Sequence, residues 1–217
     1  PATTPVVAAK ADMRAAAVDA AVEELRACSL LSCSDDVVAG MRTVSTHRLV
    51  QDVVRDKAGD GVLSTCVAGI VRVLPPRGDE YDNDYRRNAA IGELLRPHAA
   101  AVLKQVAAAD RDYDDIVFVL CFDVASHCWR THRAAIGEGY ARQAASCTGA
   151  SQSNRAAAVG LLAMLLQEQR KFDEAEAAHR RSLAMEQELG TSQAGVAISL
   201  NNLGNVLQDQ RRFDEAE

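Results

Sequence analysis

The segment Leu166-Gln-Glu-Gln-Arg-Lys-Phe-Asp-Glu-Ala-Glu176 returns, nearly letter for letter, as Leu207-Gln-Asp-Gln-Arg-Arg-Phe-Asp-Glu-Ala-Glu217. The offset is 41 residues, and Leu162 and Leu203 hold the same register upstream. A fixed period of roughly 20–50 residues marks a repeat array, in which each unit covers its apolar side only against its neighbours. That constraint outranks any local motif. Stacked units make extended binding surfaces, so the pattern points to partner recognition rather than to chemistry. The second copy stops in mid-unit at Glu217 and the chain opens on Pro1, so a piece of a longer protein is expected. The last unit, lacking most of its second helix, is expected to fray or to recruit another copy of the chain, which makes self-association an expected property.

Aromatic residues are only 4% of the 217, whereas alanine and leucine are abundant. That mixture suits closely packed helices better than a sheet sandwich. A net charge of −6 leaves no basic footprint, so nucleic acid is not an expected partner. No apolar run reaches the roughly 18 residues that a membrane span needs, and Arg72 interrupts even Gly61–Leu74. The six cysteines lack paired spacing and read as free thiols of a cytoplasmic protein. Cys121, His127, Cys128 and His132 invite a metal reading, because Cys128 and His132 lie one helical turn apart. Adjacent His127 and Cys128 point about 100° apart on a helix, however, and no Cys-x-x-Cys knuckle supports them. Small buried thiols in a helical core are the favoured reading. A Cys128–His132 catalytic pair lacks a third partner, so no enzyme activity and no metal are expected.

Three regions follow one another. In residues 1–57, the apolar stripe Val18, Ala21, Val22 and Leu25 predicts a helix within Ala11–Leu31. Extended pieces near Ser29–Cys33 and Arg42–Thr46 flank a polar turn at Ser34-Asp-Asp36, and helical spacing resumes at His47 with Thr46 as its N-cap. Helix, short hairpin and helix outline a small winged-helix-like remnant. Residues 58–110 read as a helical linker. An apolar helix through Val62, Cys66, Ile70 and Val73 ends at Pro75-Pro76, and a charged loop covers Arg77–Asp84. A helical piece at Asn88–Leu95 precedes a new helix, His98–Ala109, with Pro97 in its first turn.

Residues 111–217 form the array: a degenerate hairpin, Ile116–Trp129 with Ala134–Ser146, a Cys147–Ser153 linker, then clear repeats from about 156 and 197. Gly137 and Gly139 are expected to weaken the second helix of the degenerate pair. Val159, Leu162, Ala163 and Leu166, then Phe172 and Ala175, form the apolar face of one unit. Leu200, Leu203, Gly204 and Leu207, then Phe213 and Ala216, repeat it. Ala163 and Gly204 fall where two helices approach closely. The expected fold class is all-α, a truncated helical-hairpin array preceded by the winged-helix-like remnant.

The other face of each first helix carries Gly160, Met164, Gln167 and Glu168, then Asn201, Asn205, Gln208 and Asp209, with Asn202 adjoining. Carboxamides both donate to and accept from an extended main chain, so these positions are candidates for a peptide groove. The runs Asp173-Glu174 and Arg211-Arg212 read as solvated helix ends.

Leu203-Gly204, Leu207, Phe213 and Ala216 resemble the tetratricopeptide pattern of small and large residues. The Ser199-Leu-Asn-Asn-Leu-Gly204 lead-in and the long period resemble the kinesin-light-chain type, from about Ser153 to the end. Val159 and Leu200 replace the tryptophan of the general pattern. Upstream, His47-Arg-Leu-Val-Gln51 followed by Leu95-Arg-Pro-His-Ala99 resembles the region joining the winged helix of NB-ARC-type (STAND) signalling ATPases to their repeat arrays. The resemblance implies that His47 senses the β-phosphate of bound ADP, although Thr46 and Arg48 depart from the Val and Asp of many relatives. No G-x-x-x-x-G-K-[ST] loop is present, so ADP or ATP is expected only with a full-length protein and not with these residues alone. The expected function is protein or peptide binding, as the sensor or scaffold arm of such a nucleotide switch. The alternative is a stand-alone kinesin-light-chain-like adaptor.

Overall fold

A computed structural model describes residues 31–38, 41–46, 79–108, 114–190 and 193–210, with helical positions at Ala20, Glu23, Glu24 and Ala27. The chain divides into two compact units, Pro1–Val62 and Leu63–Glu217. In the first, β1 (Leu31–Val38) pairs antiparallel with β2 (Met41–Thr46). Leu31 faces Thr46 and Val38 faces Met41, so the chain reverses between Val38 and Met41. The turn expected at Ser34-Asp-Asp36 is instead a register shift between Ser34 and Val37, a bulge that absorbs two aspartates without ending the strand. The helical positions Ala20, Glu23, Glu24 and Ala27 fall inside the expected first helix, and β1 begins at Leu31. His47 and the helix expected after it, the Val62–Val73 helix, Pro75-Pro76, Arg211-Arg212, Phe213 and Ala216 lie outside the described residues.

The second unit is helical throughout its described residues. Its elements are α1 (Asp79–Asp82), α2 (Tyr85–Ala108), α3 (Asp114–Arg130), α4 (Ala134–Ser146), α5 (Gln152–Glu168), α6 (Phe172–Glu188) and α7 (Gln193–Asp209). The charged loop thus contains a helical turn, α1. The two helices expected on either side of Pro97 are one continuous helix. Packing explains this. Ile91 before Pro97 and Ala99, Val102, Leu103 and Val106 after it are buried, so the apolar stripe runs past the proline. Pro97 itself is exposed, on the side of the helix away from that stripe.

From α3 onward each helix packs on the next, and α5 also touches both α3 and α7 along one side. Phe118, Leu120, Cys121, Val124 and Ala158 belong to one buried cluster. Leu161, Leu162, Leu165, Leu166, Ala175 and Val206 belong to a second. The α3–α4 turn has the same geometry as the α5–α6 turn. His132 and Arg170 both take left-handed backbone angles, φ 56° and 61°. In each turn the following amide donates back to the helix: Arg133 to the Cys128 carbonyl at 2.7 Å, Lys171 to that of Leu166 at 3.0 Å. This is the Schellman arrangement, reached twice without glycine.

Gly137 is not a weak point. A Cβ there would lie 2.8 Å from the Cβ of Cys128 and 2.9 Å from a Leu165 methyl, whereas one at Gly139 would meet nothing within 4 Å. The first glycine lets α4 approach α3 and α5, and the second is an ordinary surface position. Gly137→Ala is therefore expected to destabilise by about 1–3 kcal/mol through overpacking. Gly139→Ala is expected to stabilise by about 0.5–1 kcal/mol through helix propensity. Opposite signs in urea unfolding check the register of α4, and equal signs would contradict it.

Ala163, Val159 and Leu166 are fully buried, as their register requires, and Leu207 is buried. Gly204 and Leu203 are half-buried, and Leu200 is 51% exposed beside Ile198 at 63%. The expected apolar face of the second unit is thus only partly covered. Its counterpart α5 is packed between α4 and α6, whereas among the described residues α7 has helices on one side only.

A cleft across three first helices

The C-terminal ends of α3, α5 and α7 come together around a cleft of about 620 Å³. Trp129, Arg130 and His132 line it at the end of α3, Met164, Gln167 and Glu168 on α5, and Asn202, Asn205 and Asp209 on α7. Asp82 of α1 completes the rim. Arg130, Glu168 and Asp209 are each the last residue of their helix, so the packing of the three helix ends brings them to one place.

The polar side chains form short links across the cleft. Arg130 Nη1 lies 2.9 Å from Asp82 Oδ1, and its guanidinium stands 5.5 Å from the Trp129 ring centre. Tyr85 donates its hydroxyl to the Arg130 carbonyl at 3.2 Å, tying α2 to the same corner. His132 Nδ1 is 2.8 Å from Glu168 Oε1, a contact that the left-handed turn makes reachable. Gln167 Nε2 donates to Asp209 Oδ2 at 2.7 Å, joining α5 to α7. Two supporting networks hold the helices in place. Behind the α3–α4 turn, His127 is buried with Nε2 3.0 Å from Glu93 Oε1, while Arg133 and Arg96 reach Glu93 Oε2 at 3.1 and 3.3 Å. Burial alone would raise the Glu93 carboxyl. The His127 hydrogen bond and the two guanidinium groups outweigh that and hold it below its ordinary range. The imidazole rests directly on Gly92, where a Cβ would come within 2.2 Å of Nδ1. On the outer side, Glu138 receives Lys171 at 2.7 Å, Arg142 at 2.9 Å and Gln169 at 3.0 Å. The Lys171 bond, helped by the other two, holds its carboxyl at about 2.

Six of the expected groove residues meet in the cleft: Met164, Gln167, Glu168, Asn202, Asn205 and Asp209. Asn201 and Gln208 are exposed and do not line it. Gly160 does not line it either. It faces α6, where a Cβ would sit 3.3 Å from Ser182 Oγ, a hydroxyl that donates to the Ala156 carbonyl at 2.9 Å. Asp173 and Glu174 are more than solvated ends, since Gln210 donates to Asp173 at 3.2 Å and Arg142 pairs with Glu174 at 2.8 Å. Sequence reasoning missed Asp82, Trp129, Arg130 and His132. For the last three no letter pattern gave a signal; their turn shares only its left-handed geometry, at His132, with that at Arg170. The group Cys121, His127, Cys128 and His132 is dispersed among different surroundings. Burial pushes the Cys121 thiol up to about 12 and that of Cys128 to about 11, His127 serves Glu93, and His132 stands exposed at the cleft. Among the described residues no three His, Cys, Asp or Glu side chains are grouped to hold a metal ion.

The tetratricopeptide repeat family matches residues 154–217. Residues 154–217 are tetratricopeptide repeats. No curated protein matches the chain. Helices α5, α6 and α7 fall in the matched segment, and α5 and α7 supply six of the residues that line the cleft. No helix among the described residues is long and apolar enough to cross a membrane.

Proposed function

We propose that this chain is a protein-interaction module that takes an extended peptide segment of its partner in the α3–α5–α7 cleft. The convergence of Met164, Trp129, Asn202 and Asn205 on one concavity carries the proposal. The indole and thioether offer an apolar wall, and the amides match the alternating donors and acceptors of main chain. The tetratricopeptide match at 154–217 supports it, since stacked hairpins present their surfaces to partners. Cys121, Cys128 and Cys147 are buried thiols outside any disulfide, which accords with a cytoplasmic setting. Trp129→Ala and Asn205→Ala, measured against a peptide selected on the wild-type chain, are each expected to weaken binding about 10-fold or more, as interface anchors do. Unfolding midpoints should scarcely move for Asn205→Ala, which is exposed. Undiminished binding in both variants would move the site elsewhere.

A finer reading makes the chain the sensor or scaffold arm of an NB-ARC-type nucleotide switch, rather than a kinesin-light-chain-like adaptor. The His47-Arg-Leu-Val-Gln51 motif and the Leu95-Arg-Pro-His-Ala99 segment favour it. In a full-length protein with its ATPase part, His47→Ala is expected to weaken ADP retention about 10-fold, the effect of one strong hydrogen bond to phosphate. Unchanged ADP dissociation in a folded variant favours the plain adaptor.

A further inference from the structure

We infer that the partner segment is cationic, with a Lys or Arg side chain seated between Glu168 and Asp209; this rests on the peptide-cleft reading above. The lining carries three carboxylates, Asp82, Glu168 and Asp209, against one guanidinium and one imidazole. Arg130 is already engaged, held 2.9 Å from Asp82 and stacked near Trp129. That leaves Glu168 and Asp209, whose contacts are an imidazole and a neutral amide: His132 at 2.8 Å and Gln167 at 2.7 Å. An amide bond orients a carboxylate without cancelling its charge.

The backbone adds to the same field. Glu168 and Asp209 close α5 and α7, and neither helix has a basic residue in its last turn. The last residues of both helices line the cleft, so the negative end of each helix dipole, equivalent to roughly half a charge, lies beside it. An ammonium or guanidinium group is the complement of that arrangement, and an acidic segment is repelled by it. Half-buried Met164 alongside provides the apolar surface on which the methylene stem of a long cationic side chain lies.

The test is selection of a random 12-residue display library on the full chain, followed by binding of the enriched peptides to variants. The enriched pool is expected to carry net positive charge. Glu168→Gln with Asp209→Asn is expected to weaken its binding by about 10-fold or more, and raised salt to weaken wild-type binding in the same direction. An enriched pool of neutral or acidic peptides that still depends on Trp129 and Asn205 overturns the charge inference and leaves the cleft intact. A pool whose binding ignores Trp129, Asn205, Glu168 and Asp209 alike overturns both.

Discussion

Leu165→Ala is expected to cost about 2–5 kcal/mol of stability, the range for truncating a buried leucine that its surroundings cannot collapse around. Leu165 is fully buried in the second cluster, with one methyl against Gly137 of the neighbouring helix. Its removal opens a void where α4 and α5 cross. Ile136, one residue before Gly137 but 40% exposed, is the control; Ile136→Ala should cost far less. The two α4–α5 sites should also couple. Overpacking by Gly137→Ala is relieved once the leucine methyls are gone, so the double variant should lose less than the sum of the singles. Denaturant midpoints measure all four proteins. Equal losses for Leu165→Ala and Ile136→Ala would mean that α4 presents another face to α5.

The second large effect is a loss of stability in weak acid. His179 on α6 is 1% exposed and its Nε2 has no hydrogen-bond partner, so burial pushes its pKa from 6.5 down to about 4. The folded protein keeps the ring neutral, whereas the unfolded chain takes up a proton as pH falls through 6.5. Stability should therefore decline between pH 6.5 and about 4, by about 3 kcal/mol at the lower end. Glu138 acts in a lower window. Its carboxyl is held at about 2 against an ordinary 4.5, so its contribution is complete above 4.5 and disappears as pH falls toward 2. His179→Leu should flatten the first slope alone, and Glu138→Gln the second alone. An unchanged slope between pH 6.5 and 4 in His179→Leu would assign that acid sensitivity to other groups.

Much of the array was legible in the sequence because its signal is redundant. Ala163, Leu162 and Leu166 mark one packed face whose copies recur at a fixed interval, and a periodic constraint survives local ambiguity. The boundaries of α4, Ala134–Ser146, agree with the expected degenerate hairpin. What failed was reading residues by propensity alone. Pro97 and Gly137 are poor helix formers in isolation, yet one faces water and the other fills a crossing too tight for a side chain, so packing decides both. In the cleft, the α5 and α7 residues were readable from repeat register. Trp129 and His132 were not, because α3–α4 has lost the letter pattern while keeping the turn geometry. Asp82 reaches the rim from a charged segment with no periodicity.

Trp129 is the single tryptophan of the chain, and it lines the cleft, so its emission reports on that site without a label. Titration of the selected, non-fluorescent peptide into the full chain is the most direct measurement. Emission should shift along the same isotherm that calorimetry gives for binding, and the shift should weaken in step with affinity in Asn205→Ala. Saturable calorimetric binding that leaves the Trp129 emission unmoved would place the partner on another face and contradict recognition across the ends of α3, α5 and α7.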